Sequence, residues 1–335
     1  MTRRAFLGAA GAAAAAAADP VPRTSMGIAA TSFMTGWRPR DMFAFLDRCA
    51  ALGAGGVQTA LSATDAASLR RLRERIDGAG MYLEVMAPLP QEDASGFAHT
   101  AAAAREAGAR CLRAACLGGR RYETFATLED WRAFVRQARA AVRSAVRVCE
   151  QRRLPLALEN HKDWTAEELL ALLREYSSAY LGVCLDTGNN IALLDDPMEV
   201  VLALAPYAVS THIKDMGVAP DRDGFLLSEV VLGEGALDLG AMLSAIRARR
   251  PETRFTLEMI TRNPLSVPCL TDAYWATFPD RNGRCLARTL RWVAERQSAS
   301  LPRLEGLDAE SVRRVEERNV ARCLAYARDP LGLRA

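Results

Sequence analysis

Residues 154–186, LPLALENHKDWTAEELLALLREYSSAYLGVCLD, decide the fold. LPLALEN (154–160) and LGVCLD (181–186) are short apolar runs of the kind that form buried parallel strands. Between them TAEELLALLREY has helical periodicity, and Thr165 followed by Glu168 is a capping-box pattern at its start. The unit is strand, helix, strand, and each strand ends in an acidic residue, Glu159 and Asp186.

The same alternation extends in both directions. Strands are expected at 27–33, 55–61, 82–88, 110–116, 154–160, 181–186, 208–214 and 254–260, with helical patterns between them. Gly53, Gly80 and Gly108 stand where helices should stop. Eight such units predict a (β/α)8 TIM barrel with an extra C-terminal helix, spanning residues 25–300 with a helical extension at 301–335. That last helix is expected on the barrel or at a subunit contact, the surface a homo-oligomer would use. An open dinucleotide-binding sheet is disfavoured because no G-x-G-x-x-G follows the first strand.

Composition narrows the function. Half of the 335 residues are hydrophobic, and 43 basic against 40 acidic residues give a net charge of +3, with no excess of the sort that marks a nucleic-acid partner. The first residues, MTRRAFLGAAGAAAAAAADP, pair Arg3 and Arg4 with a short Ala-rich stretch and small residues. This is the layout of a twin-arginine leader, so residues 1–24 are expected to be signal peptide and linker, and the mature protein periplasmic or extracellular. The stretch is too short and alanine-rich for a stable membrane anchor. Eight cysteines without a C-x-x-C pair are expected to be buried thiols.

Four apolar runs end in Glu159, Asp186, His212 and Glu258, at intervals of 27, 26 and 46 residues. The first two intervals fit one strand-helix unit each, and the third fits a unit plus a long loop from Asp215 to Asp238. Because the carboxyl ends of barrel strands converge on one face, the four side chains are expected to meet. Three carboxylates and an imidazole form a hard oxygen and nitrogen donor set that suits a divalent metal ion, Mn2+ first, then Mg2+, Co2+ or Zn2+.

LALENH (156–161), GVCLDTGN (182–189), STHIKD (210–215), LGEGALDL (232–239) and FTLE (255–258), in this order, resemble the sugar phosphate isomerase/epimerase superfamily of xylose-isomerase-like barrels. The resemblance spans essentially the whole mature chain. It implies that Glu159, Asp186, His212 and Glu258 are metal ligands, with Glu159 and Glu258 also moving the proton next to a substrate carbonyl. It also implies a small sugar or sugar-derived carbonyl substrate. His161, Lys214, Asp215, Asn189 and Glu234 are expected to touch substrate or orient the ligands, and Trp37 and Trp164 to wall the sugar ring.

Many ketose epimerases of this kind carry a histidine shortly after the aspartate, where this chain has Asn189 and Asn190. Three histidines in total do not supply the richer set of the nuclease branch. The expectation is therefore a metal-dependent isomerase or epimerase acting through an enediolate. Its alternatives are a lyase or dehydratase of keto-sugars, inososes or 3-keto-glycosides on the same site, and a non-catalytic carbohydrate-binding barrel.

Overall fold

The computed structural model describes residues 21–335. Residues 1–20 of the expected leader and linker lie outside them. Seven parallel strands follow in chain order: β1 (Gly27–Ala29), β2 (Gly56–Thr59), β3 (Tyr82–Met86), β4 (Leu112–Ala114), β5 (Leu156–Glu159), β6 (Leu181–Asp186) and β7 (Ala208–His212). Next come an antiparallel pair, β8 (Asp215–Asp221) and β9 (Gly224–Val230), the eighth barrel strand β10 (Thr256–Leu257), and a short β11 (Leu265–Val267).

The barrel order is β10-β1-β2-β3-β4-β5-β6-β7, all parallel. Closure is made by Ile213, whose amide donates to Thr256 (2.8 Å) and whose carbonyl accepts from Glu258 (3.2 Å). All eight expected strands are present, each within its expected run, and residues 30–33 of the first run turn into a short 3-10 helix.

Alternation along each strand sends one residue in two to the barrel interior. At its amino-terminal end Tyr82 lies across the axis. Its hydroxyl donates to the Phe255 carbonyl (2.8 Å) and accepts from the Gly27 amide (3.0 Å). The ring fits because β1 and β2 each begin with glycine: a methyl at Gly56 would sit 2.4 Å from the Tyr82 ring, and one at Gly27 2.3 Å from its hydroxyl.

The segment expected as a long loop from Asp215 to Asp238 is instead largely a hairpin. β8 and β9 pair over their full length and β11 adds to β9. Met216 and Val218 on β8 and Phe225 and Leu227 on β9, alternate positions on each strand, turn one face of this small sheet onto a second hydrophobic cluster with Ile191, Leu193, Tyr274 and Phe278. That cluster includes the turn after β6, so it sits over the carboxyl end of the barrel.

The tail helix, Ala309–Arg328, is packed into the main core through Val320, Cys323, Leu324 and Ala327. Its Glu316 is fully buried and accepts the amides of Thr35, Gly36 and Trp37 at 2.9–3.1 Å. The chain end then ties to the start of β1, with Leu333 accepting from Ser25 (2.8 Å) and Thr24 (2.6 Å). All eight cysteines are unpaired. Among the described residues no helix is long and apolar enough to cross a membrane.

The Tyr82 plug yields a stability prediction. Gly56→Ala overpacks against the Tyr82 ring and is expected to cost about 1–3 kcal/mol. Equilibrium urea denaturation measures it, and an unchanged midpoint would contradict the packing described.

Candidate metal centre

Glu159 ends β5, Asp186 ends β6, His212 ends β7 and Glu258 follows β10. One ligand atom from each lies within 4.8 Å of the others, and all four residues are buried. His212 Nδ1 is 3.4 Å from Glu159 Oε1, 3.4 Å from Glu258 Oε2 and 3.7 Å from Asp186 Oδ2.

The surroundings hold these side chains in place from behind. Asp186 Oδ1 accepts the amides of Gly188 and Asn189, both at 2.8 Å, and the Asp186 amide donates to Asn160. Thr31 donates to Glu258 Oε1 (2.6 Å), and Asn189 Nδ2 donates to Glu159 Oε1 (3.0 Å). His212 Nε2 meets Gln58 Oε1 at 2.7 Å. In contrast, His212 Nδ1 faces the centre of the cluster with no hydrogen-bond partner, and Asp186 Oδ2 has only the Lys214 ammonium. Orphaned buried donors and acceptors of this kind are costly, and a cation shared among them removes the cost. The donor set therefore fits a divalent metal ion.

The electrostatics show the same demand for positive charge. Burial pulls the His212 pKa down, but Cys184 and Glu258 more than reverse this and carry it up to about 10. Burial would raise Glu258, yet His212 and Lys214 hold it well below the usual carboxylate range. Lys214 Nζ lies 2.6 Å from Glu258 Oε2, 3.1 Å from Asp186 Oδ2 and 3.7 Å from Glu229 Oε1. Arg113, on β4, is ion-paired with Glu159.

Several expected residues do surround this centre. Asn189 Oδ1 accepts from both Lys162 and Lys214. His161 stands beside Lys162 and Lys214 with Nδ1 unpartnered, and burial together with those lysines pushes its pKa well down. Others do not. Trp37 stacks in an edge cluster with Phe33 and Phe45 beneath Arg48, on the main core. Trp164 packs on Trp131 and Phe134 in the same core.

Asp215 is a loop organiser. Its carboxylate accepts the amides of Met216, Gly233, Gly235 and Leu237, which folds the glycine loop back on the hairpin. Glu234 points outward, half exposed, to an ion pair with Arg322. With Asp215 filling the inner side of that loop, Glu234 has no path to the centre.

The residues missed are mostly cations and their partners. Arg113 interrupts an apolar strand pattern, as Gln58 and Glu84 do, and each such break was a readable signal of an inward polar position. Lys162, Glu229 and Arg262 gave no such signal, because loops and hairpin ends are ordinarily charged. Glu229, at the end of β9, accepts Arg262 through both carboxylate oxygens, so the hairpin brings its own acid to the site. Burial, with Lys214 adding to it, lowers the Lys162 pKa to about 7.

Residues 46–277 match the family described as Xylose isomerase-like TIM barrel. The chain belongs to that family. It is 30% identical over 248 residues to the 3-oxo-isoapionate decarboxylase of Pectobacterium atrosepticum, covering 66% of this chain and 81% of that protein. Among solved structures it resembles D-psicose 3-epimerase with D-tagatose from Clostridium cellulolyticum H10, at 15% identity and a TM-score of 0.60, over 91% of this chain and 99% of that one. A xylose isomerase-like TIM barrel protein from Mycobacterium smegmatis in complex with magnesium matches at 15% identity and a TM-score of 0.53, over 82% of this chain and 100% of that one. At such identities the structural likenesses speak for the fold alone.

The raised His212 pKa carries a prediction about metal binding. The ring is protonated in the metal-free protein below about pH 10, and a metal on Nδ1 must displace that proton. Binding of Mn2+ at pH 8 is therefore expected to release close to one proton per ion, and affinity to rise with pH. Calorimetry in buffers of different ionisation enthalpy reads the release. Elemental analysis should find about one ion per chain, lost in His212→Ala and Asp186→Ala.

Proposed function

We propose that this protein is a divalent-metal-dependent lyase that removes a carboxylate, as CO2, from a small 3-oxo sugar acid. One observation carries this choice. The two glutamates that a proton-shuttling isomerase needs as free bases are each engaged by a cation, Glu159 by Arg113 and Glu258 by Lys214. A carboxylate paired with a buried ammonium, as Glu258 is with Lys214, is a poor proton acceptor at neutral pH.

Decarboxylation requires no base. The bond between the carboxyl group and its neighbouring carbon breaks, the electron pair stays on that carbon as an enolate conjugated with the 3-oxo group, CO2 leaves, and a proton is delivered to the carbon. A bound divalent ion supplies Lewis acidity toward the carbonyl and the enolate charge. The relative named as a decarboxylase acts, by that name, on a 3-oxo acid.

Charge count supports an anionic substrate. Four cations, Arg113, Lys162, Lys214 and Arg262, stand with four carboxylates, Glu159, Asp186, Glu229 and Glu258, in one buried network. With a metal in place of the His212 proton, the dication leaves the site with two positive charges in excess, which favours an anionic substrate such as a carboxylate. Lys162, buried and directed at Asn189 beside Lys214, is placed to deliver the proton. The twin-arginine leader adds the proposal that the enzyme works after export.

A second reading, epimerisation or isomerisation of a free ketose, is favoured by one feature: Glu159 and Glu258 both reach the same imidazole nitrogen at 3.4 Å and so flank the position between them. The two are separated by incubating Mn2+-loaded protein in D2O with a 3-oxo aldonic acid and, separately, with free ketoses. CO2 with one deuterium in the product is the expected result. Deuterium exchange or C3 inversion of a ketose without CO2 release would replace the lyase with the isomerase.

Lys162→Met is expected to lower kcat about 10²–10⁴-fold, the range for loss of a general acid. In the parent, kcat should fall as pH rises through about 7, where Lys162 loses its proton, and this limb should vanish in the variant.

A further inference from the structure

Below the metal centre the barrel axis is polar rather than apolar. Gln58, Glu84, Ser210 and Thr256, from β2, β3, β7 and β10, are all fully buried. Gln58 Nε2 donates to Glu84 Oε2 (2.9 Å) and to Ser210 Oγ (3.3 Å), and Ser210 Oγ donates to the same Glu84 oxygen (2.6 Å). Thr256 Oγ1 approaches that oxygen at 3.4 Å and also meets the Tyr82 hydroxyl at 2.9 Å. A column of hydrogen bonds thus runs from the Tyr82 plug up to His212.

The column has a direction. With its amide nitrogen held by two acceptors, Gln58 can present only its oxygen to His212 Nε2, 2.7 Å away. Turning the amide over would set its carbonyl against the Glu84 carboxylate and its N–H groups against the imidazole N–H. Protonation of Glu84 leaves this unchanged: burial pushes its pKa up, but Oε1 has no partner and takes the proton, so Oε2 stays an acceptor.

We infer that Glu84 and Gln58 are positioning residues for the metal centre: Glu84 orients the Gln58 amide, and Gln58 keeps a His212 proton on Nε2, so that Nδ1, on the side of the three carboxylates, is the nitrogen left to hold a metal. The inference rests on the metal-centre reading above and adds residues on β2 and β3 to it. Neither residue touches substrate. A carbonyl or carboxylate behind a ligating imidazole is the usual means of fixing its tautomer and ring angle, and here the fixing group is itself fixed by a second acid one strand away.

The test uses Mn2+ alone, titrated calorimetrically into the full mature chain. Gln58→Leu and Glu84→Leu are expected to weaken Mn2+ binding about 10–100-fold with circular dichroism unchanged. The exchange Gln58→Glu with Glu84→Gln keeps every donor facing an acceptor. The carboxylate it places on β2 accepts from His212, from the Ser210 hydroxyl and from the amide it places on β3, and that amide nitrogen also donates to Ser210 Oγ. The exchange should recover most of the loss, which a merely structural role for two buried polar groups would not produce.

Heteronuclear NMR of the Zn2+-loaded parent, tractable with three histidines in the chain, should show His212 protonated on Nε2. A folded Gln58→Leu protein that binds Mn2+ as tightly as the parent would overturn the inference while leaving the metal centre standing. So would an exchanged protein no tighter than Gln58→Leu. A parent that binds no divalent ion would overturn both.

Discussion

Three carboxylates and an imidazole, buried within 4.8 Å of one another, impose a demand for positive charge that shapes everything around them. Uncompensated, such a group of anions would be far too costly to bury. The protein meets part of the demand itself. Lys214 bridges Asp186 and Glu258, and Arg113 takes Glu159. What remains is an imidazole nitrogen with no hydrogen-bond partner that draws a proton up to about pH 10. The pairing of the glutamates also underlies the proposed chemistry. The same ion pairs that make burial tolerable lower the basicity an isomerase would use.

The scaffold serves this cluster at both ends. The glycines that open β1 and β2 admit the Tyr82 ring at the base of the barrel, and from there hydrogen bonds climb to His212. Above the cluster, the hairpin β8–β9 is anchored by its own hydrophobic cluster and carries Glu229 to Lys214 and Arg262. The tail helix completes the ring by supplying Glu316 to the backbone after β1, the strand next to Glu258. Rigid support of this kind is what holds a four-ligand set in one geometry.

Reading the chain alone recovers the barrel because buried parallel strands are nearly continuous apolar runs, and LGVCLD or LALE can hardly be anything else. The meeting of Glu159, Asp186, His212 and Glu258 follows from strand direction alone. The hairpin was not readable, since its residues pack on one another and on the turn after β6 rather than on a helix or strand adjacent in sequence. Asp215 and Glu234 show the limit at the level of single residues. Both are acids near a glycine loop, yet one is consumed by four backbone amides and the other by Arg322 at the surface.

What the sequence determined by itself was the order of strands and which residues end them, because periodicity and strand polarity are local properties. Only the tertiary structure decided which cations stand on which glutamate, which way Gln58 faces and whether Trp37 lines the site or the core. Those outcomes depend on distances of 2.6–3.7 Å between residues from different strands, such as Lys214 to Glu258 and to Glu229. Electrostatics and hydrogen bonding act at that range, and chain order does not specify it.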